Sequence, residues 1–169
     1  YGSNPEDEYF MRIMLRKYCR AGETPADFEP LANYLVDLYR EEVVYFDQQL
    51  GRLLEQLKND DRETIVVFVS DHGEGFGEHG NVEHGNTLYN EEILVPFVIA
   101  GPGVPQSNEL GYAPDLIDAT FTMLDLAGVS TANVDGQSVV DNNYEVRPAI
   151  SFMIDYVAVF AGDYKMHAK

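Results

Sequence analysis

Three of the chain's four histidines fall inside 13 residues: His72, His79 and His84. Asp71, Glu74, Glu78 and Glu83 lie among them. Imidazoles and carboxylates bind divalent cations and move protons near neutral pH. Asp71 and His72 are adjacent, so both reach one ion if the backbone turns after them; the alternative is that Asp71 simply caps a turn. A hard oxygen beside a borderline nitrogen suits Mn, Zn or Mg, and Ca less naturally. Two ligands alone make a weak site; a full one needs further carboxylates. His84 fits either a place in the pocket or a structural hydrogen bond. His79 reads as a loop histidine, with a ligand role as the alternative. Glu74 and Glu78 read as solvated groups or as supports behind the ligands, a place His79 also fits. Gly73, Gly75, Gly77, Gly80 and Gly85 make the segment a shaped loop. So many glycines in a loop without a close-packed role would cost much chain entropy.

No nucleophile accompanies this cluster. Cys19 sits in Arg16-Lys17-Tyr18-Cys19-Arg20, without a neighbouring histidine or a glycine-rich elbow. It reads as a core or helix residue. Ser70 precedes the Asp-His pair but lacks the Gly-x-Ser-x-Gly setting of a strained nucleophile turn.

The elements that must carry these groups follow from apolar spacing. Thr24-Pro25 reads as a turn and helix cap. From Leu31 a long helix is expected, with Leu35, Leu38, Val43, Phe46, Leu50, Leu53 and Leu57 on one buried face. Asn59-Asp60-Asp61 ends it. Ile65–Val69 is a non-alternating, β-branched run that suits a central parallel strand covered on both faces. Ser70-Asp71-His72-Gly73 stands at its carboxyl end, where ligands bind in open α/β sheets. Leu94–Ile99 is a second strand that begins after Pro96 or lies at an edge. A helix over about 115–126 turns Leu116, Ala119, Thr120, Met123 and Leu124 to the sheet, and Gly128 supplies its left-handed cap. Ala149–Ile154, Val157–Phe160 and Tyr164–His167 read as a small antiparallel sheet, turned at Gly162-Asp163.

The expected organisation is an irregular or helical lead-in over 1–30, an α/β region over 31–145 and a small antiparallel β segment over 146–169. The fold class is α/β. Two convincing strands and a short tail are too few for a covered sheet, so its edges are expected to meet missing upstream polypeptide or another chain; the alternative is a small α/β domain that stands alone. The chain opens on Tyr1 rather than Met, in keeping with a piece of a longer protein.

Charge narrows the function classes. The 169 residues carry 29 acids and 11 bases, a formal net charge of −18. Arg62 and Arg147 bound a stretch without any lysine or arginine. Nucleic-acid binding needs cations to replace phosphate counterions, so that role is excluded, as is docking on an anionic membrane. No apolar run is long enough to span a membrane. An acid-rich, lysine-poor surface fits work at high salt, where charges are screened within about 3 Å at 1 M.

The motifs, in order, resemble a known family. They are Tyr39-Arg40-Glu41-Glu42-Val43-Val44-Tyr45-Phe46-Asp47, Ser70-Asp71-His72-Gly73-Glu74, Gly77-Glu78-His79-Gly80 and His84-Gly85-Asn86-Thr87-Leu88-Tyr89. Val95-Pro96-Phe97-Val98-Ile99, Gly101-Pro102-Gly103, Asp115–Thr120 and Leu124–Val129 continue the series. Together they resemble the C-terminal part of the sulfatases, in the alkaline phosphatase superfamily, over about 33–138. The Ser-Asp-His-Gly piece alone marks only the wider superfamily, which includes phosphatases and phosphomutases.

That resemblance implies a partial alkaline-phosphatase-like sheet flanked by helices, with the tail as the family's small second sheet. It implies Asp71 and His72 as ligands of a divalent metal (Ca, Mg, Mn or Zn) and His84 as the group facing the sulfate. The substrate of the complete protein would be a sulfate ester of a small molecule or saccharide. The family's nucleophile, a formylglycine made in Cys/Ser-x-Pro-x-Arg, has no counterpart here and would belong to a missing N-terminal part. The chain is thus expected to supply half of a metal site and to be inactive alone. Alternatives are a truncated phosphatase or phosphomutase relative, and a non-catalytic binding or structural domain. Gly85, Asn86 and Leu94 stand where many family members place a lysine and an arginine.

Overall fold

A computed structural model describes residues 5–22, 28–106, 110, 114–161 and 164–168. Thr24-Pro25 and Gly162-Asp163 lie outside the described residues. The elements are α1 (Pro5–Ala21), α2 (Phe28–Lys58), β1 (Val66–Val69), β2 (Gly75–Phe76), β3 (Val82–Glu83), α3 (Asn90–Ile93), β4 (Phe97–Ala100), α4 (Leu116–Leu126), β5 (Ala149–Met153), β6 (Tyr156–Ala161) and β7 (Tyr164–Ala168). A single 3-10 turn, Glu78–Gly80, separates β2 from β3. Helices mix with small antiparallel sheets, as the α/β expectation requires. The chain forms two units, one of residues 1–61 and 73–92, the other of 62–72 and 93–169.

The first unit is built on α1 and α2. Leu15, Leu35 and Val82 are buried together, with Cys19, Phe28, Leu31, Leu38 and Phe76 packed around them. Burial pushes the Cys19 thiol up from its ordinary value, and a backbone hydrogen bond opposes this. Cys19 is thus a partly buried helix residue packed against this core. The long helix starts at Phe28, before the expected Leu31, because Pro30 falls in its first turn, where no intrahelical donor is lost. It ends at Lys58, as the polar run predicts.

The single buried face expected for that helix is not found. Ala32 and Leu35 are buried, but Val43, Phe46 and Leu53 are about half exposed, at 49%, 52% and 51%. The periodicity is real, yet burial needs a partner, and α1, β2 and their loops cover only the first turns. The edge contact of Tyr39 on Phe76, with ring centroids 5.2 Å apart, marks the end of the covered part.

In the second unit, β1 and β4 pair antiparallel, Val66 opposite Ala100 and Phe68 opposite Val98. This corrects the parallel, doubly covered strand read from Ile65–Val69. A parallel return needs a crossover of helical length. The chain between β1 and β4 offers only two-residue strands, the 3-10 turn and the four-residue α3. Val69 and Val98, on opposite faces of the pair, are both exposed. As expected, β4 starts after Pro96.

Helix α4 ends on the predicted glycine. Gly128 is left-handed, at φ 68°. Its N–H donates to Asp125 and that of Val129 to Leu124, both at 2.9 Å, which closes the last turn. The inward face of α4 differs from the expected one. Asp118, Ala119 and Thr122 are buried, whereas Leu116 and Met123 are largely exposed. The reason is polar. The Asp118 carboxylate accepts from the Gln137 N–H at 2.8 Å, the Tyr144 hydroxyl at 2.9 Å, the Asp115 N–H at 3.2 Å and the Arg147 guanidinium at 2.6 Å. Thr122 donates to the Asp118 carbonyl at 2.6 Å and accepts the Val139 N–H at 3.0 Å. This face therefore holds the loop that leads into β5.

β5, β6 and β7 form the C-terminal antiparallel sheet. Phe152 stands opposite Val157, and Val159 opposite Met166. Ala158 is buried on one face. On the other, Ile150, Phe152, Val157 and Met166 are exposed, Phe152 at 83%.

Candidate functional site

Asp71 and His72 leave the end of β1 in the second unit. Ser70 Oγ donates to the His72 carbonyl at 2.8 Å, and the His72 N–H donates to Asp71 Oδ1 at 3.0 Å. These two bonds turn the backbone sharply after the strand. Asp71 Oδ1 and His72 Nε2 are 3.9 Å apart, and both side chains reach solvent. Two donors on one small ion, each about 2.1 Å from it, stand ~3 Å apart. The pair presents one oxygen and one nitrogen donor, set somewhat wider apart than that. Among the described residues, no group of three or more histidines, cysteines or carboxylates is placed to hold a metal ion.

Glu74, His79 and His84 belong to the first unit. Gly73 opens this segment with its N–H bonded to the Glu92 carbonyl at 2.8 Å. A Cβ at Gly73 would lie 2.0 Å from the Glu91 carbonyl oxygen, so only glycine passes here. β2 and β3 then form a minimal hairpin, Gly75 opposite Glu83 and Phe76 opposite Val82. Glu78 folds back to accept the Phe76 N–H at 2.6 Å, which makes it a turn residue.

The structure brings His84 and Glu74 together. His84 Nδ1 is 3.4 Å from both Glu74 oxygens. Glu74 is mostly buried and His84 half exposed, so the ring is oriented by the carboxylate while one edge meets solvent. His79 makes a different pair. Its Nδ1 lies 2.7 Å from Glu91 Oε1, and its ring stacks on Tyr89 with centroids 3.8 Å apart. His79 is also left-handed, at φ 52°, a conformation that short polar and imidazole side chains tolerate best.

The sequence reading missed Glu92. The residue is 3% exposed. Oε2 accepts the N–H groups of Gly85, Asn86 and Thr87 at 2.8, 3.3 and 3.4 Å. Oε1 accepts from the Asn81 amide at 3.0 Å and from the Thr87 hydroxyl. One carboxylate thus organises the whole loop after His84. The sequence signal was slight: an acid in the single turn between Leu88 and Ile93, beside an ordinary Glu91.

Comparison with known proteins gives a consistent picture. The sulfatase family model matches residues 9–129. A choline-sulfatase of Rhizobium meliloti is 32% identical over 126 residues, 71% of this chain and 24% of that protein. Arylsulfatase K of Gallus gallus is 33% identical over 97 residues, 56% of this chain and 18% of that protein. A Delta 4,5-hexuronate-2-O-sulfatase of Bacteroides thetaiotaomicron is 41% identical over 73 residues, 41% of this chain and 15% of that protein. The chain spans about a quarter or less of the length of these relatives. No solved structure matches it.

Proposed function

Because the chain belongs to the sulfatase family, we propose that it is the C-terminal part of a sulfuric ester hydrolase and supplies half of that enzyme's metal site. The observation that carries this reading is the Asp71–His72 pair, turned outward together at a strand end inside the family-matched span. These two residues would hold a divalent cation, which would supply the positive charge that a sulfate ester needs. The chain itself offers no lysine or arginine over 63–146. His84, oriented by Glu74, would meet the ester oxygens and give or take a proton at the leaving oxygen. The nucleophile, a formylglycine in this reading, comes from polypeptide upstream.

Hydrolysis of an aryl sulfate tests the proposal. The 169-residue chain is expected to show no turnover above a metal-only control. The parent protein is expected to hydrolyse the sulfate and to lose that activity with His84→Ala. A parent that prefers aryl phosphate by more than ~100-fold would overturn the sulfatase assignment in favour of the phosphatase relative.

A further inference from the structure

His84 is displayed on a bend that two side chains hold from either end. It stands between two left-handed residues, Glu83 at φ 68° and Gly85 at φ 75°. Glycine adopts that conformation freely, but glutamate does not. A glutamate stays there only where its surroundings require it. Its partner is Arg16 of α1, whose guanidinium pairs with the Glu83 carboxylate. The Glu83 side chain is 20% exposed, so the pair is shielded on the carboxylate side. At the other end, the Glu92 carboxylate takes five donors from Asn81, Gly85, Asn86 and Thr87.

We infer that Glu92 and Arg16 are positioning residues for His84: they fix the backbone on both sides of it, so that its ring faces Glu74 before any ligand arrives. The inference rests on the reading in which His84 meets the sulfate. The two residues act through geometry. Glu92 matters as a multiple acceptor and Arg16 as the tether of a strained residue. Glutamine at position 92 keeps an oxygen for the three backbone N–H groups. Its amide nitrogen then faces Asn81 and Thr87, an amide and a hydroxyl that can each reverse to accept. Alanine leaves all five donors unserved.

The experiment is NMR on the full chain, comparing Glu92→Ala, Glu92→Gln and Arg16→Met with the parent sequence. Amide exchange is read at Gly85, Asn86 and Thr87, with α4 amides as the control. The His84 ring signals are read alongside, with the urea midpoint as the measure of overall stability. Glu92→Ala is expected to speed exchange at the three amides by ~30-fold or more and to move the His84 ring signals, with α4 unchanged. Glu92→Gln is expected to stay within ~3-fold of the parent sequence. Arg16→Met is expected to shift the Glu83 backbone coupling toward the extended value and to move the His84 signals as well. It also keeps the proposal testable if Glu92→Ala does not fold. Unmoved His84 signals in either variant that folds would overturn the inference. So would a glutamine variant as loosened as alanine, because charge rather than geometry would then be the agent. None of these readouts needs ester turnover. Their failure is therefore distinct from the failure of the sulfatase reading, which the aryl sulfate assay decides.

Discussion

Replacing Asp118 by alanine should destabilise the second unit more than any other single truncation on α4. The carboxylate is fully buried and Arg147 is 30% exposed, with 2.6 Å between them. Three further donors, from Asp115, Gln137 and Tyr144, end on the same two oxygens. Breaking a buried ion pair from one side costs about 3–5 kcal/mol. Arg147 can turn part of its head to water, which favours the low end. The Tyr144 hydroxyl can do the same, whereas the Gln137 N–H is left behind without an acceptor, at about 1–3 kcal/mol. These terms overlap, so the expected loss is about 3–4 kcal/mol. With a urea dependence of about 2 kcal/mol per molar, the midpoint falls by ~1.5–2 M. Asp118→Asn keeps an acceptor and is expected to lose about half as much. The assay is urea unfolding followed by circular dichroism and by tyrosine emission, since the chain has 11 tyrosines and no tryptophan. Arg147→Met and the double variant complete a cycle, with a coupling of about 1.5–3 kcal/mol expected. A loss below ~1 kcal/mol for Asp118→Ala, or no coupling to Arg147, would show that the pair only decorates the loop and that apolar packing holds α4.

Two other outcomes follow from the same physical reasoning. Gly73→Ala puts a methyl group into the Glu91 carbonyl and is expected to lower the stability of the first unit by ~2 kcal/mol or more, read as a drop in thermal midpoint. For Asp115, burial first and the Asp118 charge second push the carboxyl above its ordinary 3.8, while Arg147 and the Ile150 backbone pull it down. A raised carboxyl favours the folded state when protonated, and that contribution is lost as pH rises through the folded value. Stability relative to Asp115→Asn should therefore decline from about pH 4 upward and then level off, and urea midpoints between pH 3 and 8 measure it. A difference that instead grows with pH would refute the burial argument.

Local features of the fold were legible in the sequence, and features that depend on distant partners were not. The C-terminal ends of α2 and α4, the start of β4 after Pro96 and the left-handed Gly128 all follow from neighbouring residues. The sense of the β1–β4 pairing did not, because it depends on what the intervening chain builds. The bare outer face of α2 did not either, because periodicity states which residues share a side and not whether anything covers it. At the site, the placing of Asp71 and His72 at a strand end and the shaped, glycine-rich loop after them could be read directly. Glu92 and Asp118 looked like ordinary surface acids. Their burial is explained by donors 5 to 11 residues away for Glu92 and by Gln137, Tyr144 and Arg147, 19 to 29 residues away, for Asp118. The left-handed backbone at His79 and Glu83 carries no sequence mark at all.

The bare side of the β5–β6–β7 sheet changes how purified protein should be judged. Ile150, Phe152, Val157 and Met166 form an oily strip on a hydrogen-bonded scaffold. Reporter dyes that brighten on greasy surfaces will light up on it while every strand is intact. A bright dye signal from this chain is thus no sign of a molten preparation, and quality control belongs with sharp amide spectra or cooperative melting.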